Sequence, residues 1–252
     1  VARRQGTGFP SYEEVGEAIR RDLRLTYLYP AEQTGNNWQA WLPRYEPRQG
    51  LVWQREDDQD SNGLPDRVMR SRLLVARPGT AIDPASDAAA EGTLRETECM
   101  GEHWRTSTGD VKPVGLVGYL LVREGSGIQG AVEEVEELFL GGDTRYGLGR
   151  VRRVAWDSTA RVFSAPVSIE NTDPALTTER VLAHAIVPDA IEMRGGLEVL
   201  AGWDRGVGPR SVNSAYWRPG SVAGQPGGWR LMDSGLWAAL PTKEGQAIAR
   251  AS

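Results

Sequence analysis

The 252-residue chain is short of the residues that build covalent or metal frameworks. A single cysteine, Cys99, excludes an internal disulfide and a cysteine-rich zinc site, and it reads as a small buried hydrophobe on a strand. There are two histidines, His103 and His184, and two lysines, Lys112 and Lys243. Long apolar runs are missing too. The longest, residues 114–122, is broken by two glycines and falls well below the ~18 residues that cross a bilayer. Residues 1–8 are basic and polar without an apolar stretch, so they do not read as a secretory signal. A cytoplasmic protein without membrane contact, cofactor or metal is expected.

What is present is an ordinary globular mixture, 40% hydrophobic and 25% charged, with generous glycine (30) and proline (15). The net charge of −5 argues against coating nucleic acid by bulk attraction. The cations are nevertheless lopsided, since 27 of the 29 basic residues are arginine. Arginine beside glycines and aromatics suits phosphates and base stacking better than lysine does. High-GC codon usage would give the same bias, so composition leaves RNA binding open.

Residues 11–22 predict an amphipathic helix, with Ser11 as N-cap and Glu14 completing a capping box. Val15, Ala18, Ile19 and Leu23 fall on one face. Residues 31–72 show no clear period. Asp58, Asp60, Asn62 and Gly63 resemble the start of a calcium loop, but Met69 stands where the closing glutamate belongs, so a solvated loop is expected. Strands are predicted at 92–100 and 113–123, a helix at 131–140 and a strand at 151–156. Further strands at 161–169 and 197–200 flank a short helix at 177–183. The order strand, strand, helix, glycine-rich loop, strand is that of half a ferredoxin-like unit.

The glycine-rich loop is Gly141-Gly142-Asp143-Thr144-Arg145-Tyr146-Gly147-Leu148-Gly149-Arg150. Its glycines allow close backbone approach to a ligand, Arg145 and Arg150 supply charge for phosphates, and Tyr146 offers a stacking face. It leads into a strand rather than a helix, which excludes a dinucleotide-binding loop, and it lacks the Gly-Lys-Ser/Thr ending of a Walker A loop.

Here the sequence resembles the RAMP superfamily of CRISPR effector proteins, the RNA-guided immune proteins of prokaryotes. The loop running into Val151 matches in kind and place. A second match is Arg77-Pro-Gly-Thr-Ala-Ile-Asp83 with Ala89-Ala-Glu-Gly-Thr-Leu-Arg95 and Glu98, similar to a segment of type III RAMP subunits. A third is Gly202-Trp203-Asp204 with Arg218-Pro-Gly-Ser-Val222, similar to the subunit that caps the guide's 5′ end. The resemblance implies an α+β, ferredoxin-like (RRM-like) RAMP fold over residues 1–156 and a smaller, loop-rich β part over 157–252. It implies an RNA-binding subunit of a type III-like complex. Gly141, Gly142, Arg145, Tyr146, Gly147, Gly149 and Arg150 would grip the guide RNA (crRNA) backbone, and other RAMP subunits would dock alongside, with target RNA a further partner. Residues 1–72 lack the Gly-Ser-Ser-Leu-Lys-Gly-type segment of target-cutting subunits.

The rival reading is an endoribonuclease that processes guides or cuts target. Asp83 would then be a metal-water ligand or general base, though Asp83-Pro84 is also a turn initiator. His103 would be a general base for attack by a ribose 2′-hydroxyl, or a solvent-facing loop residue. His184 lies in an apolar stretch and reads as a satisfied core or boundary histidine. Trp38, Trp41, Trp53, Trp203, Trp217, Trp229 and Trp237 are open to three readings: core, a sugar-binding face, or, interleaved with Arg205, Arg210, Arg218 and Arg230, a nucleic-acid or protein surface.

Overall fold

The computed structural model describes residues 12–58, 62–106, 109, 111–170, 173–204 and 208–240. The expected N-cap Ser11, Asp60 of the calcium-like run and Arg205 lie outside them, as do the side chains of Trp203, Asp204 and Arg210. Helix α1 (Tyr12–Asp22) runs into β1 (Leu23–Leu25). An antiparallel meander of β2 (Tyr29–Thr34), β3 (Asn37–Glu46) and β4 (Gly50–Arg55) follows, extended by β5 (Leu64–Pro65) and α2 (Asp66–Leu73). Then β6 (Leu74–Gly79), β7 (Ile82–Asp83), β8 (Ala88–Ala89) and β9 (Arg95–Met100) make one long ribbon, with Leu74 opposite Met100 at its base and Asp83 opposite Ala88 at its tip. Strands β10 (His103–Trp104) and β11 (Lys112–Val117) return to the meander beside β2. After β12 (Leu120–Val122), which pairs with β1, comes α3 (Ile128–Glu133) and the hairpin β13 (Glu137–Phe139) and β14 (Arg150–Arg152).

The described residues between Arg161 and Ala239 form a nine-stranded sheet. It comprises β15 (Arg161–Val162), β16 (Ala165–Glu170), β17 (Asp173–Arg180), β18 (Ala185–Ile186), β19 (Met193–Arg194), β20 (Leu197–Asp204), β21 (Gly208–Trp217), β22 (Val222–Leu231) and β23 (Trp237–Ala239). Among the described residues only β18 and β23 pair in parallel. Among the described residues no helix is long and apolar enough to cross a membrane.

This architecture overturns the ferredoxin-like expectation. That fold needs long helices covering one face of an antiparallel sheet through crossover connections. Among the described residues three short α-helices accompany twenty-three strands, and neighbouring strands are joined mostly as meanders and hairpins. The helix expected at 131–140 stops at Glu133 and the segment re-forms as β13. A continued helix would set Glu133 against Glu136 and Glu137 at repulsive spacings. In the hairpin, Glu137 instead meets Arg150 at 2.7 Å. The helix expected at 177–183 is instead the end of strand β17 as far as Arg180, followed by a non-helical connection, because Thr177 and Thr178 are β-branched and pair with Gly228 and Gly227. The strand expected at 113–123 breaks at Gly118-Tyr119, where Tyr119 accepts from Thr26 N at 3.1 Å and the chain changes partner from β2 to β1.

The aperiodic stretch 31–72 is mostly sheet. Strand β3 sends Ala40 and Leu42 into one core and Trp41 towards α2, so both faces are covered and polarity does not alternate. The larger core joins Tyr29, Ala40 and Leu42 to Leu176, Trp229, Leu231 and Trp237 of the nine-stranded sheet and to Val181 and Leu182 just after β17. Polar links also cross this junction, among them Tyr29 Oη donating to Leu182 O at 2.9 Å and Tyr45 N donating to Gly220 O at 2.7 Å. A Cβ on Gly220 would lie 2.9 Å from Pro43, so only glycine lets the 218–222 segment seat there. Smaller cores form where α1 and α3 meet Leu23 and where α2 covers Trp104.

Candidate functional site

The ten-residue connection 140–149 is the loop of a β-hairpin, not a helix-to-strand turn. Leu140 N donates to Gly149 O at 2.8 Å and closes its neck. Gly149 has φ +71°, and a Cβ there would overlap the Leu140 carbonyl oxygen, so this glycine is dictated by packing. Gly141 and Gly147 also hold positive φ, whereas Gly142 does not, and no atom lies within 4 Å of a Cβ placed on any of these three. A single 3₁₀ turn, Thr144–Tyr146, lifts Arg145 and Tyr146 onto the outer rim, with Asp143 at φ +55° before it.

Two sequence segments meet on this rim. The Arg95 guanidinium, from the start of β9, lies 4.5 Å above the Tyr146 ring centroid, and Arg145 lies 5.0 Å from the same ring. The hydrogen bond to Arg95 and the charge of Arg145 hold the exposed Tyr146 hydroxyl below the usual phenol range. Arg95 belongs to the second RAMP-like segment but is not among the site residues expected from sequence. Its pairing with Tyr146 is a tertiary contact across fifty-one residues, and no spacing rule encodes it.

The charges on the hairpin differ in availability. Arg150 is tied to Glu137 at 2.7 Å. Arg95 and Arg145 have no carboxylate within ion-pair distance among the described residues. Arg153 lies 5.2 Å from the exposed Trp156 ring and donates to Glu133 O. The rim therefore presents unpaired guanidinium groups and π-faces together, the pairing that stacks bases and neutralises phosphates. Leu138, Phe139 and Val154 add exposed apolar surface beside it.

The two candidate catalytic residues are far apart. Asp83 is at the tip of the β6–β9 ribbon, where its carboxylate accepts from Ala85 N at 3.1 Å and Ser86 Oγ at 2.7 Å. Those bonds lower its pKa and close an Asx turn. His103 is exposed at the other end of the ribbon, beside a shallow cleft also lined by Arg77, Trp104 and Val111. Nine residues of ribbon, roughly 30 Å when extended, separate the two ends. Neighbouring Glu102 pairs with Arg77 at 3.2 Å rather than with His103. The structure thus brings no acid–base pair together at either position.

His184 is satisfied on both ring nitrogens, by Tyr27 Oη at 2.7 Å and Glu198 Oε2 at 3.1 Å. Cys99 is half-buried rather than buried. Trp104, Trp229 and Trp237 are buried and Trp41 and Trp53 pack under α2. Among the described tryptophan side chains only Trp156 is exposed, and Trp38 and Trp217 are half-buried. No family model and no curated protein matches this chain.

Proposed function

We propose that this chain binds single-stranded RNA as a RAMP-type subunit of a type III-like CRISPR effector, holding the guide RNA backbone on the 140–149 hairpin loop. The reading rests on one observation: Arg95, from the upstream RAMP-like segment, stacks on Tyr146 of the glycine-rich loop. It does not rest on a ferredoxin-like fold. Arg95 and Arg145 would neutralise phosphates while Tyr146 and Trp156 take bases in stacking, and Leu138 and Phe139 would face a neighbouring subunit. The net charge of −5 is compatible with this, because the basic groups are local to the rim.

The test has two parts. The protein purified from cells carrying its genomic neighbourhood should bring down discrete short RNAs that share one repeat-derived 5′ end. In vitro, Arg95→Ala with Arg145→Ala should weaken single-stranded RNA binding by about tenfold or more and flatten its salt dependence, since each phosphate contact contributes to that slope. Random RNA that washes away, or an unchanged affinity in the double variant, refutes the assignment.

A further inference from the structure

A cavity of about 190 Å³ lies between the β15–β16 hairpin, the end of β17 and Trp237 of β23, away from the glycine-rich loop. Phe163, Leu176, Leu182 and Trp237 line it beside the polar Ser164, Thr177 and Thr178, and Arg180, only 5% exposed, lines it too. A buried arginine is ordinarily matched by a carboxylate. Among the described residues the Arg180 guanidinium makes one hydrogen bond, from Nη1 to Gln54 Oε1 at 3.3 Å; the Glu56 and Glu179 carboxylates act on it through space, but neither lies within ion-pair distance. Glu179 next to it pairs with Arg44 instead.

Arg180 points inward because of the backbone. The β17–β22 register shifts between Thr178 and Arg180, and such a bulge re-aims the side chain that follows. The cavity's edge is held as firmly. Phe163 and Ser164 turn the β15–β16 hairpin at φ +46° and +67°, a conformation that non-glycine residues keep only when their surroundings impose it. Phe163 is wedged edge-on against Tyr29 and Tyr119, with centroids at 5.3 and 4.9 Å. Ser164 Oγ donates to Glu56 at 3.1 Å. Burial, with the like charge of Arg44, pulls the Arg180 guanidinium down to about 10, so it stays charged at neutral pH. Thr178 Oγ1, on the same wall, accepts from Arg180 N at 3.3 Å and keeps its own proton to donate.

We propose that this cavity is a binding site for a small oxyanion, a phosphate or carboxylate group, gripped by the free edge of Arg180 and the Thr178 hydroxyl. The site is independent of the RNA reading. The anion could be free in solution or the terminal phosphate of an oligonucleotide, since both present the same oxygens to a guanidinium.

Calorimetric titration of the full chain with inorganic phosphate and with acetate tests this. The chain should bind at least one of the two with Kd below about 1 mM. Arg180→Met, which keeps the volume and removes the charge, should lose tenfold or more in affinity while its circular-dichroism spectrum stays that of the wild type. Should that variant fail to fold, Ala165→Leu fills the cavity from its lip without touching Arg180 and must also lose binding. Competition by a 5′-phosphorylated but not a 5′-hydroxyl oligonucleotide identifies a nucleic-acid end as the source, and competition by neither identifies a free anion; both support the site. No binding of either anion at 10-fold higher concentration, or unchanged binding in the folded variants, overturns it.

Discussion

Gly149→Ala tests whether the glycine-rich loop is a shaped object or merely a flexible connection. Gly149 sits at φ +71°, and its added methyl would overlap the Leu140 carbonyl oxygen. Holding alanine at that φ costs about 1 kcal/mol or more. Relieving the overlap also breaks the Leu140 N–H to Gly149 O hydrogen bond, a further ~1 kcal/mol. The total is about 2–3 kcal/mol, charged to a hairpin of two three-residue strands. A hairpin that small is marginal by itself, and its Leu138 and Phe139 are exposed rather than packed in the core. The cost should therefore appear as local opening, with the global melt unmoved. Hydrogen exchange read by mass spectrometry on the peptide spanning 137–152 should quicken roughly 50-fold at the neck, or to the unfolded rate if that comes first. RNA affinity should fall with it. Gly142→Ala is the control, since Gly142 has an ordinary φ and open space around it, and it should change neither readout. If Gly149→Ala exchanges like the wild type, the neck bond is not what shapes the rim and the reasoning fails.

Two further outcomes follow from the core. Trp229 is 1% exposed and its Nε1 donates to Thr178 O at 2.8 Å, so Trp229→Ala should cost about 4 kcal/mol and lower Tm by roughly 8–16 °C; a drop under ~3 °C would mean that it does not anchor the shared core. Burial raises the pKa of Glu56 above its usual value, against the lowering influence of Ser164, Tyr119 and Arg180 and alongside a raising one from Asp57. The folded state thus holds that proton more tightly, and stability falls as pH rises from the unfolded value of 4.5 through the folded one. Glu56→Gln keeps an acceptor for Ser164 and should flatten the pH–Tm profile across that window, so an equally steep profile would count against burial as the cause.

Some of this protein was determined by local sequence alone. The amphipathic spacing of Ala18, Ile19 and Leu23 built α1 and directed it onto Ile128 and Val132. Asp83-Pro84 made a turn because an aspartate side chain caps its own following backbone N–H. Residues 141–150 were legible as a glycine-rich loop carrying Arg145 and Tyr146, though as the exit from a helix and not as the loop of a hairpin.

The tertiary structure decided the rest, wherever two local preferences were nearly balanced. AVEEVEELFL can coil as a helix or extend, and pairing with residues 150–152, which brings Arg150 to Glu137, settled the second half as strand. TTERVLA was settled by β22 in the same way. The long meander through 31–55 was hidden because both its faces are covered, which erases the alternation that marks a half-buried strand. Arg95 over Tyr146, and Arg180 against Gln54 at a cavity wall, are contacts between residues distant in the chain and brought together by strand register. Register is a property of paired strands, and no single strand carries it.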